Sequence, residues 1–341
     1  MCEQIASCRV RSIWSTGVHG SIVGLEGMAS LRELHLPHAA VVGDIENLQS
    51  LTALQELDLA NTGVQGDIEN LRNLTVLEKL YLDNTGVHGD IKNLRRLAVL
   101  EKLYLDNRGV QGDIENLQKL TGLQELYLEN TGVHGDIENL QNLTALNSLQ
   151  LFNTEVLGDM KNLQKLTRLQ VLDLSQTGVH GDIENLHNLA ALHWLQLYKT
   201  DVLGEVKSLQ KLTRLQRLDL SHTGVHGDIE KLQNLTALHW LLLYNTGVHG
   251  DIESLKNLGG LQRLTLSNTG VQGDIESLQN LTALEKLYLD STGVHGDIDV
   301  LLHFPSLEEA SLRGTSATGW ISSTWNGHCQ KLRELDLGAR G

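Results

Sequence analysis

The side chains able to do chemistry in this sequence stand in columns. Asp44, Asp67, Asp90, Asp113, Asp136, Asp159, Asp182, Asp228, Asp251, Asp274 and Asp297 each follow a glycine at one constant interval, with Glu205 filling a gap. A row of carboxylates at strand spacing offers oxygen ligands to a cation such as Ca²⁺. The surrounding residues lack the dense Asp/Asn spacing of a calcium loop, and capping of local amides accounts for each aspartate by itself. His88, His134, His180, His226, His249 and His295 sit just before that glycine and alternate with glutamine. Most are two intervals apart, about 10 Å at strand spacing, too far to share one metal ion. Only His226 and His249 are neighbours, and the column reads as solvated imidazoles. No nucleophile–base pair, phosphate-cradling glycine loop or metal signature rises above this periodic background, so neither catalysis nor a cofactor is expected.

Aromatic residues point to contact chemistry instead. Tyr81, Tyr104 and Tyr127 share one column, flanked by Glu78, Lys79, Asp83, Glu101, Lys102, Asp106, Glu125 and Glu129. Phe152, Trp194, Tyr198, Trp240, Leu242 and Tyr244 follow, with Arg217, Asp219 and Arg263 beside them. A strand residue facing solvent has no structural need to be Trp, and Tyr and Trp are over-represented among interface hot spots. Trp194-Leu-Gln-Leu-Tyr198 and Trp240-Leu-Leu-Leu-Tyr244 put like residues on one face of strands two intervals apart. That predicts two aromatic rails with a polar furrow between them, able to grip an extended peptide. Cross-strand packing that merely stiffens a sheet competes for the same rings.

The elements that must hold these columns follow from the period. Gly20, Gly43, Gly66 and their successors to Gly319 mark 14 units, every interval being 23 residues. In one unit Leu57-Asp58-Leu59 alternates as a short half-buried strand does. Thr62-Gly63 turns the chain. The run from Asp67 to Leu71 fits a short helical or 3₁₀ segment capped by Asp67. Ile68, Leu71 and Leu74 return apolar side chains to the axis. The pattern L-x-x-L-x-L-x-x-T-x-V-x-G-D-I resembles that of the leucine-rich-repeat family. The resemblance implies an α/β right-handed solenoid with a parallel sheet on its concave wall and short helical or irregular segments on the convex side. It also implies a non-catalytic interaction module whose protein or peptide partner lies on that wall. Plant-type members carry Pro after G-x-I; here Glu, Lys or Asp stands there, leaving open whether a second small sheet forms on the convex side.

The organisation expected is a degenerate edge repeat over 1–30, regular repeats over 31–306 and irregular repeats over 307–341. Leu332, Leu335 and Leu337 on an unpaired strand would leave an open end suited to end-to-end association. Thr16, Thr62, Thr85, Thr131 and their equivalents stand where the family places an inward Asn, and a hydroxyl can satisfy backbone groups inside the turn. The same threonines turned outward, with Asn61, Asn84, Asn107, Asn130, Asn245 and Asn268, would instead make an ice-binding or surface-adsorbing array. A regulatory or inhibitory subunit of an enzyme is a third reading. Arg108 interrupts the ladder and should swing outward or find a carboxylate.

A formal charge of −15 and the lack of a basic stripe argue against nucleic acid and anionic membrane surfaces. No apolar stretch approaches the ~20 residues that span a bilayer, and no basic start or apolar run marks a secretory signal. Cys2, Cys8 and Cys329 lack metal spacing and suit reduced thiols in the cytoplasm, or an extracellular setting if the chain is a fragment. Asn73, Asn142, Asn234 and Asn280 match a glycosylation acceptor pattern, which duplication explains.

Overall fold

A computed structural model describes residues 10–320, 325 and 331–338. Cys2, Cys8 and Cys329, on which the thiol reading rests, lie outside the described residues. Contacts divide the chain into two units, Met1–Leu169 with Gln176–Gly178, and Gln170–Ser175 with Val179–Gly341.

Each unit repeats the same coil. In the first, the strands Ser12–Trp14, Glu33–His35, Glu56–Asp58, Lys79–Tyr81, Lys102–Tyr104, Glu125–Tyr127 and Ser148–Gln150 pair in parallel, in chain order. From Glu33 on, each residue faces its equivalent in the next unit, as Leu57 faces Leu80. In the second, parallel strands run from Val171–Asp173 through Trp194–Gln196, Arg217–Asp219, Trp240–Leu242, Arg263–Thr265, Lys286–Tyr288 and Glu309–Ser311 to Glu334–Asp336. Glu309 pairs with Glu334, an interval of 25 residues where the others have 23, the two extra residues falling after Gly319.

Both units also carry the second sheet that the missing proline left open. Its strands are the G-V-x-G-D segments, such as Gly63–Asp67 paired with Gly86–Asp90, and Gly224–Asp228 paired with Gly247–Asp251. Between a second-sheet strand and the next first-sheet strand lies one turn of 3₁₀ helix, for example Ile68–Leu71, whose N-cap Asp67 accepts from the Glu69 amide at 2.7 Å. The aspartate column is therefore a column of caps, Glu205 excepted, which makes no cap bond and instead pairs with Lys207 at 2.9 Å.

The core is the leucine column itself: Leu54, Leu57, Leu59, Leu71 and Leu74 are wholly buried, as are their equivalents down the chain. Each such side chain contributes about 1.5–3 kcal/mol by leaving water. By contrast Leu332 and Leu335 are half-buried and Leu337 is 36% exposed. Trp325 is buried, its indole N–H donating to Asp299 Oδ1 at 2.9 Å.

The threonines point inward. Thr62, Thr131, Thr200 and Thr269 are buried and donate to the carbonyl three residues back at 2.6–2.7 Å. The ladder hydroxyls are thus spent inside the turns and do not form the outward array that the surface-adsorption reading assigned to them. The residue before each threonine turns through the left-handed region, with φ near +55° at Asn84, Asn130 and Asn245, a conformation Asn tolerates better than most.

Arg108 swings outward as expected, but its neighbour does the repair. Asn107 leaves the left-handed conformation and is buried; its amide donates to the Leu82 carbonyl at 2.6 Å and its Oδ1 accepts from the Thr85 N–H at 2.9 Å. Beside it lies a cleft of about 700 Å³ lined by Asn84, His88, Asp106, Arg108 and Asn130. Replacing Arg108 with Thr should leave the melting temperature unchanged or raise it, since Thr restores the ladder hydroxyl. A clear fall would show that Arg108 makes a stabilising contact of its own.

Candidate functional site

In the second unit, first-sheet residues beside the buried leucines face outward in columns set by the strand register. Trp194, Arg217, Trp240 and Arg263 are direct partners in successive strands. The expected furrow between the tryptophans does not exist. Arg217 fills it, its guanidinium carbon 4.5 Å from the Trp194 ring and 4.1 Å from the Trp240 ring, while Arg263 lies 4.9 Å from the other partner of that stack, Trp240. Sequence spacing placed a charge between the rails but not the direction in which its long side chain folds, which here is onto both indoles. The Trp194 indole N–H donates to the Gln196 side chain.

A second column runs parallel. His222 lies edge-on to Tyr198 at 5.5 Å and to Tyr244 at 4.7 Å, joining two rings that the sequence reading had left separate. His222 was missed there; its place after Ser221, in the intervening unit, was the available signal. Lys199 stands 5.1 Å from the Tyr198 ring. Between the columns, Gln196, Asp219 and Leu242 form the floor, with Asp219 facing both others. Burial pushes the Asp219 carboxyl upward against the Ser221 amide that it accepts at 2.9 Å. Asp173 is raised for the same reason, burial, and accepts from Ser175. Trp194, Tyr198, Arg217, Asp219, Trp240, Leu242, Tyr244 and Arg263 are all half-buried, with edges to solvent.

In the first unit the tyrosines largely satisfy one another. Tyr81 meets Tyr104 edge-on at 4.7 Å, and Tyr104 stacks on Tyr127 at 4.1 Å. Tyr104 donates to Glu125, and Ser148 donates to the Tyr127 oxygen at 3.0 Å. Burial pushes the Tyr81 hydroxyl up to about 12 and raises Tyr104 as well, where Glu125 adds to the effect. The cations there are already engaged: Lys79 with Glu56 and Lys102 with Glu125, each at 2.7 Å. Burial opposes the charged Glu56, yet Lys79 and His35 outweigh it and hold that carboxyl below its ordinary range. Phe152 is half-buried outside the tyrosine stack. Cross-strand stiffening therefore accounts for much of this cluster. Trp14, 62% exposed and unremarked in the sequence, stacks on His35 at 3.7 Å.

The histidine column lies on the outer face of the second sheet, His88, His134, His180, His226, His249 and His295 all exposed. Among the described residues no group of three or more His, Cys, Asp or Glu is placed to hold a metal ion. One cluster runs against the expectation of no basic patch: Arg72, Lys92, Arg95 and Arg96 line a cleft of about 510 Å³. Arg72 and Lys92 have internal carboxylate partners, Glu69 and Asp90. No helix among the described residues is long and apolar enough to cross a membrane.

No family model and no curated protein matches the sequence. Solved structures do. A TDR receptor has a TM-score of 0.82 at 23% identity, covering 98% of this chain and 65% of its own. The plant peptide hormone receptor RGFR1, solved in complex with RGF2, has a TM-score of 0.73 at 24% identity, covering 96% of this chain. The chain spans 58% of that receptor's length. An internalin from Listeria monocytogenes gives 0.65 at 24% identity, covering 99% of this chain and 89% of its own. Identities this low speak for fold alone. With its repeated inward leucines, parallel first sheet and one-turn 3₁₀ segments, this chain has the leucine-rich-repeat fold.

Proposed function

We propose that the chain is a non-catalytic binding module, and that a protein or peptide partner lies on the first sheet of the second unit. The observation that carries this reading is the Trp194, Arg217, Trp240 and Arg263 stack. Its guanidinium groups lie over indole rings at 4.1–4.9 Å and form no ion pair among the described residues. Such stacking is worth about 0.5–2 kcal/mol per contact, and it presents aromatic edges and fixed N–H donors, the groups that dominate interface energetics. Fold analogy adds support, since RGFR1 was solved with a peptide bound. The regulatory-subunit reading would use the same surface. The cytoplasmic placement rests on thiols outside the described residues, and structures with the same fold include the ectodomains of plant receptor kinases.

Panning a random-peptide display library against the chain tests the proposal. Peptides enriched on the wild type should bind the Trp194→Ala, Trp240→Ala double variant about 100-fold more weakly or worse, taking ~2 kcal/mol per hot spot and ~1.4 kcal/mol per tenfold. Circular dichroism of the sheet should be unchanged, since both indoles lie outside the leucine core. Undiminished binding by the double variant, or no enrichment at all, would sink the proposal.

A further inference from the structure

In a chain carrying a formal charge of −15, two cations on one rail, Arg217 and Arg263, make no direct ion pair among the described residues. Lysines on the first sheets are engaged by carboxylates: Lys79 by Glu56, Lys102 by Glu125, and Lys286, next in register after Arg263, by Glu309 at 2.6 Å. Arg217 and Arg263 are in no such pair among the described residues. The acid on the floor beside them, Asp219, accepts from the Ser221 amide and meets the Arg263 charge only through space. A guanidinium over a ring keeps its N–H donors in its own plane, and both arginines are half-buried, not enclosed. That planar fork matches a carboxylate in bidentate geometry.

The spacing of the two forks adds a second constraint. Arg217 faces Trp240 and Trp240 faces Arg263, so the arginines are two strands apart. At ~4.8 Å per strand that is about 9.6 Å along the rail. A polyproline II helix returns a side chain to the same face every third residue, a rise of about 9.3 Å. A β-strand returns one every second residue, after about 6.6 Å, and misses the second fork. An α-helix needs seven residues and about 10.5 Å. Aromatic-lined grooves favour the polyproline form, and here the Tyr198, His222 and Tyr244 column lines the opposite side of the floor.

We infer that this surface reads an acidic polyproline II segment with Asp or Glu at every third residue, one carboxylate on Arg217 and the next on Arg263. The inference rests on the proposed binding role and names the chemistry of its ligand.

Short acetylated Asp-Pro-Pro repeat peptides, titrated against the full chain by calorimetry and tryptophan fluorescence, provide the test. They should bind at least tenfold more tightly than Ser-Pro-Pro or Lys-Pro-Pro repeats. Arg217→Gln and Arg263→Gln should each weaken them about tenfold, and Arg217→Lys should weaken them too, since a point charge lacks the planar fork. Lys256→Gln, which removes a cation paired with Glu253 elsewhere, should change nothing. Equal binding of Ser-Pro-Pro, with both Gln variants silent, would overturn the anionic ligand and leave the binding surface standing. Equal binding of an Asp-Pro repeat, or of a helical peptide with acids seven apart, would overturn the register. If Asp-Pro-Pro binds the Trp194→Ala, Trp240→Ala double variant normally, the binding surface itself is wrong. Failure of Asp-Pro-Pro to bind at all, while library-selected peptides do bind, would overturn the inference alone.

Discussion

Gly204→Ala is expected to destabilise the chain by roughly 3 kcal/mol, measured from urea midpoints and from hydrogen exchange in the flanking strands. Gly204 has φ +106°, and a Cβ built there would lie 2.2 Å from Asp182 Oδ1. The strained backbone costs about 1–3 kcal/mol. The displaced carboxylate would also give up its cap on the Glu184 amide, now 2.8 Å away, a loss of about 0.5–2 kcal/mol. One unit further on, Gly227 supplies the control. Its φ is +107°, yet its nearest neighbour would be Glu205 Cγ at 3.6 Å, because Glu205 makes no cap. Gly227→Ala should therefore show the strain alone. Equal losses at the two glycines would mean that the aspartate column does not cap the 3₁₀ turns in solution.

Asn107→Leu should cost about 2–4 kcal/mol. Its side chain satisfies the Leu82 carbonyl and the Thr85 amide from a buried position, and a buried group left without a partner costs about 1–3 kcal/mol. The larger point is conditional. With Thr at position 108, the ladder hydroxyl returns and residue 107 is released to the left-handed, solvent-facing place that Asn84 and Asn130 occupy. Asn107→Ala should then cost little on the Arg108→Thr background, though it costs much on its own. A double-mutant cycle with no coupling would show that the two residues do not exchange roles.

What was legible in the sequence was whatever repeats. Leu57, Leu59, Ile68 and Leu71 recur in nearly every unit, and a side chain that recurs on one face must meet its own copies, so strand, turn and core could be placed by spacing. Asp67 as a cap and Thr62 as an inward ladder group followed from local hydrogen-bonding arithmetic. The parts that could not be placed depend on choices between nearly equal local arrangements. The second sheet forms because five residues after each turn stay extended, which no hydrophobic period announces when Gly63 and Gly66 punctuate it. Asn107 changes places with Arg108 because a guanidinium is too costly to bury, and composition showed the problem but not its solution. On the candidate surface, Trp194 and Trp240 were found from their type. The way Arg217 lies between them is a rotamer decision taken by a long, flexible side chain.

One consequence follows from the constant pairing of each first-sheet residue with its equivalent one unit on. Distances along such a sheet are quantised. Adding or removing a 23-residue unit between Trp194 and Trp240 would shift one recognition group against the next by a single strand, about 4.8 Å. Little else would change, because each unit touches only its neighbours. The sequence carries the mark of such events: residues 152–174 and 198–220 are near-copies. Recombination between copies of this kind works like a vernier, moving ligand preference in fixed increments through unit number while every surface residue stays the same.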